Sequence, residues 1–303
     1  MKKAIIYLLA ANCGLLAFIS SASAQTTIFS DDFASDSSLG PSWYNLNNTS
    51  AASYALNPTA GQGLALTVNS GSTGKVNEMF SEFNSVTLSD GDSLSLTAIF
   101  NSPSGMSTDT GGLLVGLYNN STVNSTNEQG SSNGSTGTGG ETAASQGYFG
   151  IMGYNTSAGT STKFYSRQGG ATDANELGYY SEMTGSSYTQ LSSSGAANNA
   201  NLQLNINYTL TYTITDEGAS GNQISAMISN GSSILDSWTT TDSSGLYDTF
   251  NELDFGNYGK AAAVDINILS ESVTEITPAP EPSVMALVGA AFGAFGMMRF
   301  RRR

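Results

Sequence analysis

The chain has 303 residues, a formal net charge of −14, no histidine and a single cysteine. Without histidine there is no Ser-His-Asp triad, no Cys-His dyad and no imidazole metal site, and Cys13 alone forms no internal disulfide. Ten lysines and arginines argue against nucleic-acid binding, while Ser (46), Gly (34), Thr (31) and Asn (26) suit β-strands joined by turns better than a helical bundle.

The first 24 residues have the three parts of a secretory signal peptide. Lys2 and Lys3 form a charged start, and Ala4–Ile19 is apolar except at Asn12, Cys13 and Gly14. Ala22-Ser23-Ala24 is a small-residue cleavage site, so signal peptidase should leave Gln25 as the first mature residue. Asn12 stands where a lipoprotein box needs a small residue, so Cys13 is expected to leave with the signal.

Residues 25–277 form the expected body. They hold four cations (Lys75, Lys163, Arg167 and Lys260) against 23 acids, a net of −19. Such a body repels polyanions and stays soluble, the alternatives being attraction of divalent cations or suitability to a saline habitat. Apolar runs of strand length, many with period 2, predict strands at Thr27–Asp32, Gly63–Asn69, Val76–Phe83, Ser93–Phe100, Leu113–Tyr118, Tyr148–Tyr154, Thr162–Arg167, Leu202–Thr215, Gln223–Ser229, Ile234–Thr241, Phe250–Phe255 and Ala262–Leu269. In Ser93–Phe100 the residues Leu94, Leu96, Ala98 and Phe100 mark one buried face. Leu202, Leu204, Ile206, Tyr208, Leu210, Tyr212 and Ile214 predict one long antiparallel strand with a wet face. Asp90-Gly91 and Asn230-Gly231 supply tight turns. About a dozen strands in one cysteine-free unit predict an all-β, two-sheet antiparallel jelly-roll sandwich. A single-sheet barrel or a β-helix is the alternative, but no fixed repeat is visible.

The motif Ile28-Phe29-Ser30-Asp31-Asp32-Phe33 with Trp43 ten residues on, then Val86–Leu94, Leu253-Asp254-Phe255 and Val264-Asp265-Ile266, resembles the concanavalin A-like jelly roll of lectins, glucanases and laminin-G-like domains. The residues 119–146 are low-complexity, with Val123 their one branched apolar residue, and are expected to form a flexible loop between strands. Thr184–Ala200 is a second such candidate. Eight aromatics crowd residues 148–188, and Tyr148, Tyr154, Tyr165, Tyr179 and Tyr180 are candidate glycan contacts, because exposed tyrosine offers a flat apolar ring and a hydroxyl. Core packing is the competing role for those rings.

Jelly-roll glucanases resemble E-x-D-x-x-E, with alternate acids on one strand face. Glu252 and Asp254 match its first two positions, but the acid/base position is Asn257. The expectation is no catalytic residue, with Glu252 and Asp254 two solvated acids on a strand. No cofactor is expected. Structural calcium is the exception considered, with Asp90 and Asp92 as weak oxygen-ligand candidates and Asp31 and Asp32 behind them.

Three of six prolines lie at Pro278, Pro280 and Pro282, an extended spacer. Val284–Met298 is uncharged and reaches about 22 Å as a helix, short against a hydrocarbon core of about 30 Å. Arg299, Arg301, Arg302 and Arg303 then hold that end in the cytoplasm. Pro280-Glu281-Pro282, an apolar helix and an arginine cluster together resemble the PEP-CTERM sorting signal. That resemblance implies recognition and cutting by an exosortase, and a destination at the surface or in the extracellular matrix of a Gram-negative-type bacterium that makes extracellular polysaccharide and biofilm. The membrane would be touched only through the 278–303 tail. An ordinary unprocessed anchor is the alternative there. The combined expectation is a structural or adhesive surface protein with some glycan contact, the other class being a carbohydrate-active enzyme.

Overall fold

The computed structural model describes residues 23–36, 43–47, 52–57, 62–68, 75–104, 111–120, 145–153, 161–169, 188–193, 200–245, 247–259 and 264–278. The chain divides into two units, Thr26–Glu275 and a second made of Met1–Gln25 with Ile276–Arg303. The Pro280-Glu281-Pro282 motif, the apolar segment and the arginine cluster lie outside the described residues, as do residues 121–144 of the low-complexity stretch. Ala22 of the cleavage site lies outside them too, whereas Ala24 and Gln25 are exposed at the start of the first strand. Among the described residues no helix is long and apolar enough to cross a membrane.

Among the described residues there are fifteen strands: β1 (Ala24–Asp31), β2 (Trp43–Asn47), β3 (Ala52–Asn57), β4 (Gly63–Val68), β5 (Lys75–Thr87), β6 (Ser93–Ser104), β7 (Gly112–Asn119), β8 (Gln146–Gly153), β9 (Lys163–Arg167), β10 (Tyr188–Ser193), β11 (Tyr208–Asp216), β12 (Asn222–Asn230), β13 (Ser233–Asp242), β14 (Thr249–Gly259) and β15 (Val264–Thr277). They make two antiparallel sheets. The eight-stranded sheet runs β13-β12-β11-β6-β15-β4-β3, with β1 also paired to β15. The seven-stranded sheet runs β10-β9-β8-β7-β14-β5-β2.

The period-2 pattern builds the layer between the sheets. Leu94, Leu96, Ala98 and Phe100 of β6 register against Ile214, Tyr212, Leu210 and Tyr208 of β11. All eight are buried in one cluster with Leu113, Val115 and Leu117 of β7 and Leu253 and Phe255 of β14. Phe100 meets Phe255 at 5.9 Å between centroids, and Phe164 meets Tyr212 at 6.5 Å, so rings from opposite sheets touch. Each such side chain contributes about 1.5–3 kcal/mol by leaving water. On the other face of the eight-stranded sheet, Ser93 bonds Thr215 at 2.9 Å and Ser95 bonds Thr213 at 3.0 Å. Hydroxyl pairs occupy that partly wet surface, as the alternation predicts.

The expected all-β, two-sheet antiparallel sandwich is therefore what the chain forms. Asn230-Gly231 closes the β12–β13 hairpin with Gly231 at φ +57°, a left-handed turn that glycine enters without steric cost. Three strands were not anticipated: β2, β3 and β10. The run expected as one strand from Leu202 starts instead at Tyr208. Asn201 and Asn205 sit at φ 51° and 58°, a left-handed conformation asparagine tolerates and a strand does not. Leu202 is buried, but Leu204 and Ile206 are exposed.

Candidate functional site: the outer face of the seven-stranded sheet

β14 runs through the middle of the seven-stranded sheet, between β7 and β5. Its register with β5 shifts between Phe250 and Glu252, where two steps along β14 oppose four along β5, from Val86 to Glu82. Leu253 and Phe255 then join the core between the sheets, and Glu252, Asp254 and Gly256 face the other way.

Cross-strand register assembles three rows on that outer face. The first is Tyr188, Arg167, Gly147, Tyr118, Glu252 and Glu82. The second contains Gln190, Tyr165, Phe149, Gly116, Asp254 and Phe80. The third ends in Leu114, Gly256 and Glu78. Glycines in these rows make room for large neighbours. A Cβ on Gly116 would collide with the Tyr118 ring, and one on Gly256 with the Glu78 side chain. Glu78 thus lies over the strand position that succeeds Asp254 on this face.

The acids are not solvated, contrary to the expectation for Glu252 and Asp254. Glu78, Glu252 and Asp254 are each 0% exposed, as are Arg167 and Tyr118. Glu252 accepts from Asn120 Nδ2 at 3.0 Å and from Ser145 Oγ at 2.9 Å. Asn251 adds two bonds to the Asn120 backbone, accepting its N–H at 2.7 Å and donating to its carbonyl at 3.0 Å. Arg167 Nη1 donates to the Ser145 carbonyl, and its guanidinium lies 5.9 Å from the centre of the Tyr188 ring. Asn120 and Ser145 flank the low-complexity residues, so Glu252 ties both ends of that stretch to β14. Burial raises its carboxyl to about 7, against the pull of those two donors and Arg167.

Asp254 differs. Both of its oxygens are buried without a hydrogen-bond partner. Burial first, and then the charges of Glu78 and Glu252, push its carboxyl well above the ordinary range. Arg167 Nη2 also lacks a partner. Toward β10 the face becomes aromatic: Phe149 stacks on Tyr165 at 5.0 Å and 10°, and Tyr188 meets Phe149 edge-on at 5.8 Å. Thr189 and Gln190 of the edge strand β10 are exposed beside them.

The other expected site residues take separate places. Asn257 faces away from Glu252 and Asp254, and its Nδ2 donates to the Val264 carbonyl at 3.1 Å. Tyr148 is in the core, where its hydroxyl donates to Asp242 at 3.1 Å and accepts from Asn222 at 3.0 Å. Tyr165 lies on the outer face at 4% exposure. Tyr154, Tyr179 and Tyr180 lie outside the described residues. Asp92 accepts the Ser89 N–H at 2.9 Å, closing the Asp90-Gly91 turn, and Asp90 is exposed beside Gly218. Among the described residues no three His, Cys, Asp or Glu side chains converge as a metal cage. A cavity of about 370 Å³ lies elsewhere, lined by Thr27, Ile28, Asn84, Val86 and Glu275, and brings no acid pair together. Glu78, Glu82, Arg167, Asn120 and Ser145 were missed in the sequence. The one signal for the first two was their period-2 spacing around Phe80.

No family model matches the chain, and no curated protein matches it. Among solved structures it is similar to arcelin-5, a lectin-like defense protein from Phaseolus vulgaris, at 12% identity over 82% of this chain and 99% of that one, with TM-score 0.43. It is also similar to the Emp47p carbohydrate recognition domain, at 13% identity over 84% and 98%, with TM-score 0.44. The exoplasmic/lumenal domain of VIP36 in its Ca2+/Man3GlcNAc-bound form is similar at 11% identity over 82% and 89%, with TM-score 0.44. At this distance the likeness carries nothing about ligands over to this chain.

Proposed function

We propose that the chain is an exported cell-surface or extracellular-matrix protein, sorted by an exosortase after signal-peptidase cleavage, whose sandwich is a structural or adhesive body that contacts extracellular polysaccharide. The observation that carries this reading is the match between two boundaries. The compact unit is Thr26–Glu275, and the signal and sorting patterns occupy 1–24 and 278–303.

Polysaccharide contact is assigned to the β9–β10 end of the outer face. There the exposed Thr189 and Gln190 of the edge strand β10 supply a hydroxyl and an amide, fixed polar groups of the kind sugars need, held beside the buried rings of Tyr165 and Tyr188. Hydrolysis is the weaker reading, because both oxygens of Glu252 are committed to Asn120 and Ser145.

Intact mass of the protein recovered from its host tests the sorting. A chain from Gln25 ending near Pro280–Ser283 supports it, and a chain ending at Arg303 refutes it in favour of a plain anchor. Affinity electrophoresis in gels of host polysaccharide tests the contact. Thr189→Ala and Gln190→Ala should each restore free mobility, and unchanged retardation in both would remove this face from the proposal.

A further inference from the structure

The outer face of the eight-stranded sheet carries no charge where β6, β11, β12 and β13 lie side by side. Cross-strand register sets four rows there. The first row is Ile99, Thr209, Ser229 and Ile234, and the fourth is Ser93, Thr215, Gln223 and Thr241. The two rows between them hold seven hydroxyl residues, Thr211 near their centre, and Met227. Twelve of the sixteen side chains thus bear a hydroxyl and none is ionised. The rest of the body differs sharply, since residues 25–277 hold 23 acids against four cations.

One end of this face is also apolar. Among the described residues five large apolar side chains are exposed: Ile99, Leu204, Ile206, Ile234 and Leu235. All five gather at the first row. Ile99 and Ile234 close that row from either side, and Ile234 keeps 64% of its surface. Leu235 is the extra residue where β13 steps past β12, between Ile234 and Asp236. Leu204 and Ile206 precede β11 and run along the end of β6. There the Asn205 N–H donates to the Ser102 carbonyl at 2.8 Å, and Asn101 Nδ2 donates to Asn207 Oδ1 at 2.9 Å. Single exposed apolar residues are ordinary on a protein surface, but a cluster of them marks a contact.

We propose that two copies of this chain associate through this face, sheet against sheet. Charge selects the occupant. Two bodies with a net charge of −19 repel wherever their acidic surfaces meet, and a face without ionised groups lets them touch with no like-charge contact. The rows offer no aromatic ring for a sugar to stack on, so a polysaccharide is the poorer fit here. A twofold axis parallel to the strands lays like row on like row. The apolar ends then bury one another, and the hydroxyl rows continue the contact as its polar part. Four strands about 4.8 Å apart and four rows about 6.8 Å apart cover about 500 Å² per copy, or about 1,000 Å² in the pair. That is the lower limit for a specific contact, so the pair is weak and forms at high protein concentration.

Sedimentation equilibrium of the exported protein purified from its host tests the contact, at loadings from about 1 μM to 1 mM. A monomer–dimer equilibrium should appear. It should tighten several-fold as salt rises from about 0.05 to 0.5 M, because salt screens the acidic bodies and leaves the neutral face unchanged. Ile99→Asp and Thr211→Asp should each weaken the dimer at least tenfold. Asn84→Asp adds the same charge at an exposed position of β5 in the other sheet, and should leave the dimer within twofold of the unmodified protein. Circular dichroism checks that each variant keeps its sheets, and the salt response of the unmodified protein decides if one does not fold. A monomer across the whole concentration range would overturn the proposal, as would a dimer that dissociates when salt is added. Loss of the dimer in Ile234→Asp alone, with Ile99→Asp and Thr211→Asp unaffected, would move the contact to the free edge of β13 and overturn it too.

Discussion

Replacing Glu252 by glutamine should flatten part of the pH dependence of stability. Glu252 is 0% exposed, and its carboxyl rises from 4.5 to about 7 on folding. Between those values the native state keeps a proton that the unfolded chain has released. The native state then binds more protons, so stability falls as pH rises. The contribution is fully present below about pH 4.5 and lost by the time the pH passes about 7. A difference of about 2.5 units at 1.36 kcal/mol each gives a loss of about 3 kcal/mol. Glutamine fills the same space and still meets Asn120 and Ser145, but has no proton to lose. Urea unfolding of residues 25–277, followed by fluorescence of buried Trp43 and Trp238, gives stability at each pH. The fall from pH 4.5 to pH 8 should be smaller in Glu252→Gln by about 3 kcal/mol, with unchanged denaturant slope. An identical fall in both proteins would refute the assignment of that proton to Glu252.

Other substitutions test neighbouring parts of the fold. Asp254→Asn should raise the urea midpoint at pH 9 and not at pH 4, since the carboxylate it removes is buried without a partner; an equal effect at both pH values would show that Asp254 is neutral throughout. Gly116→Ala should cost about 1–3 kcal/mol through collision with the Tyr118 ring, and the cost should shrink when Tyr118→Leu is present. Additivity in that cycle would place the strain elsewhere. Phe100→Ala should cost about 3–5 kcal/mol in the same unfolding assay, because its ring packs both on Tyr208 of its own sheet and on Phe255 across the core.

What the sequence reveals depends on how many strands a feature involves. Ser93–Phe100 is legible because its alternation is local: each second residue is apolar, and each is buried. β2 (WYNLN), β3 (ASYALN) and β10 (YTQLSS) are short and carry little alternation. Pairing with β5, β4 and β9 makes them strands, and no window of sequence contains that information. Leu202–Asn207 fails in the opposite direction. Its alternation continues that of β11, but two left-handed asparagines break the chain before pairing begins.

The acidic face is hidden from sequence for a further reason. E-x-D-x-x-E places three acids on one strand face only if the chain slips between the second and third. From Glu252 to Tyr258 the register of β14 is unbroken on both sides, so Asn257 turns toward the core side. The space beyond Asp254 is filled from the adjacent strand by Glu78, made possible by Gly256. Spacing along β14 therefore describes two members of a group whose others arrive from β5 and β9. A surplus of 19 negative charges in residues 25–277 reads in sequence as a soluble surface. Part of it is folded inside: Glu78, Glu252, Asp254 and Glu271 are at most 2% exposed, and Arg167 is the one cation buried among the described residues. One guanidinium does not neutralise four carboxylates, and burial raises Glu252, Asp254 and Glu271 in the same direction. The body is consequently built to hold protons in its interior, and its stability depends on the acidity of the surrounding medium.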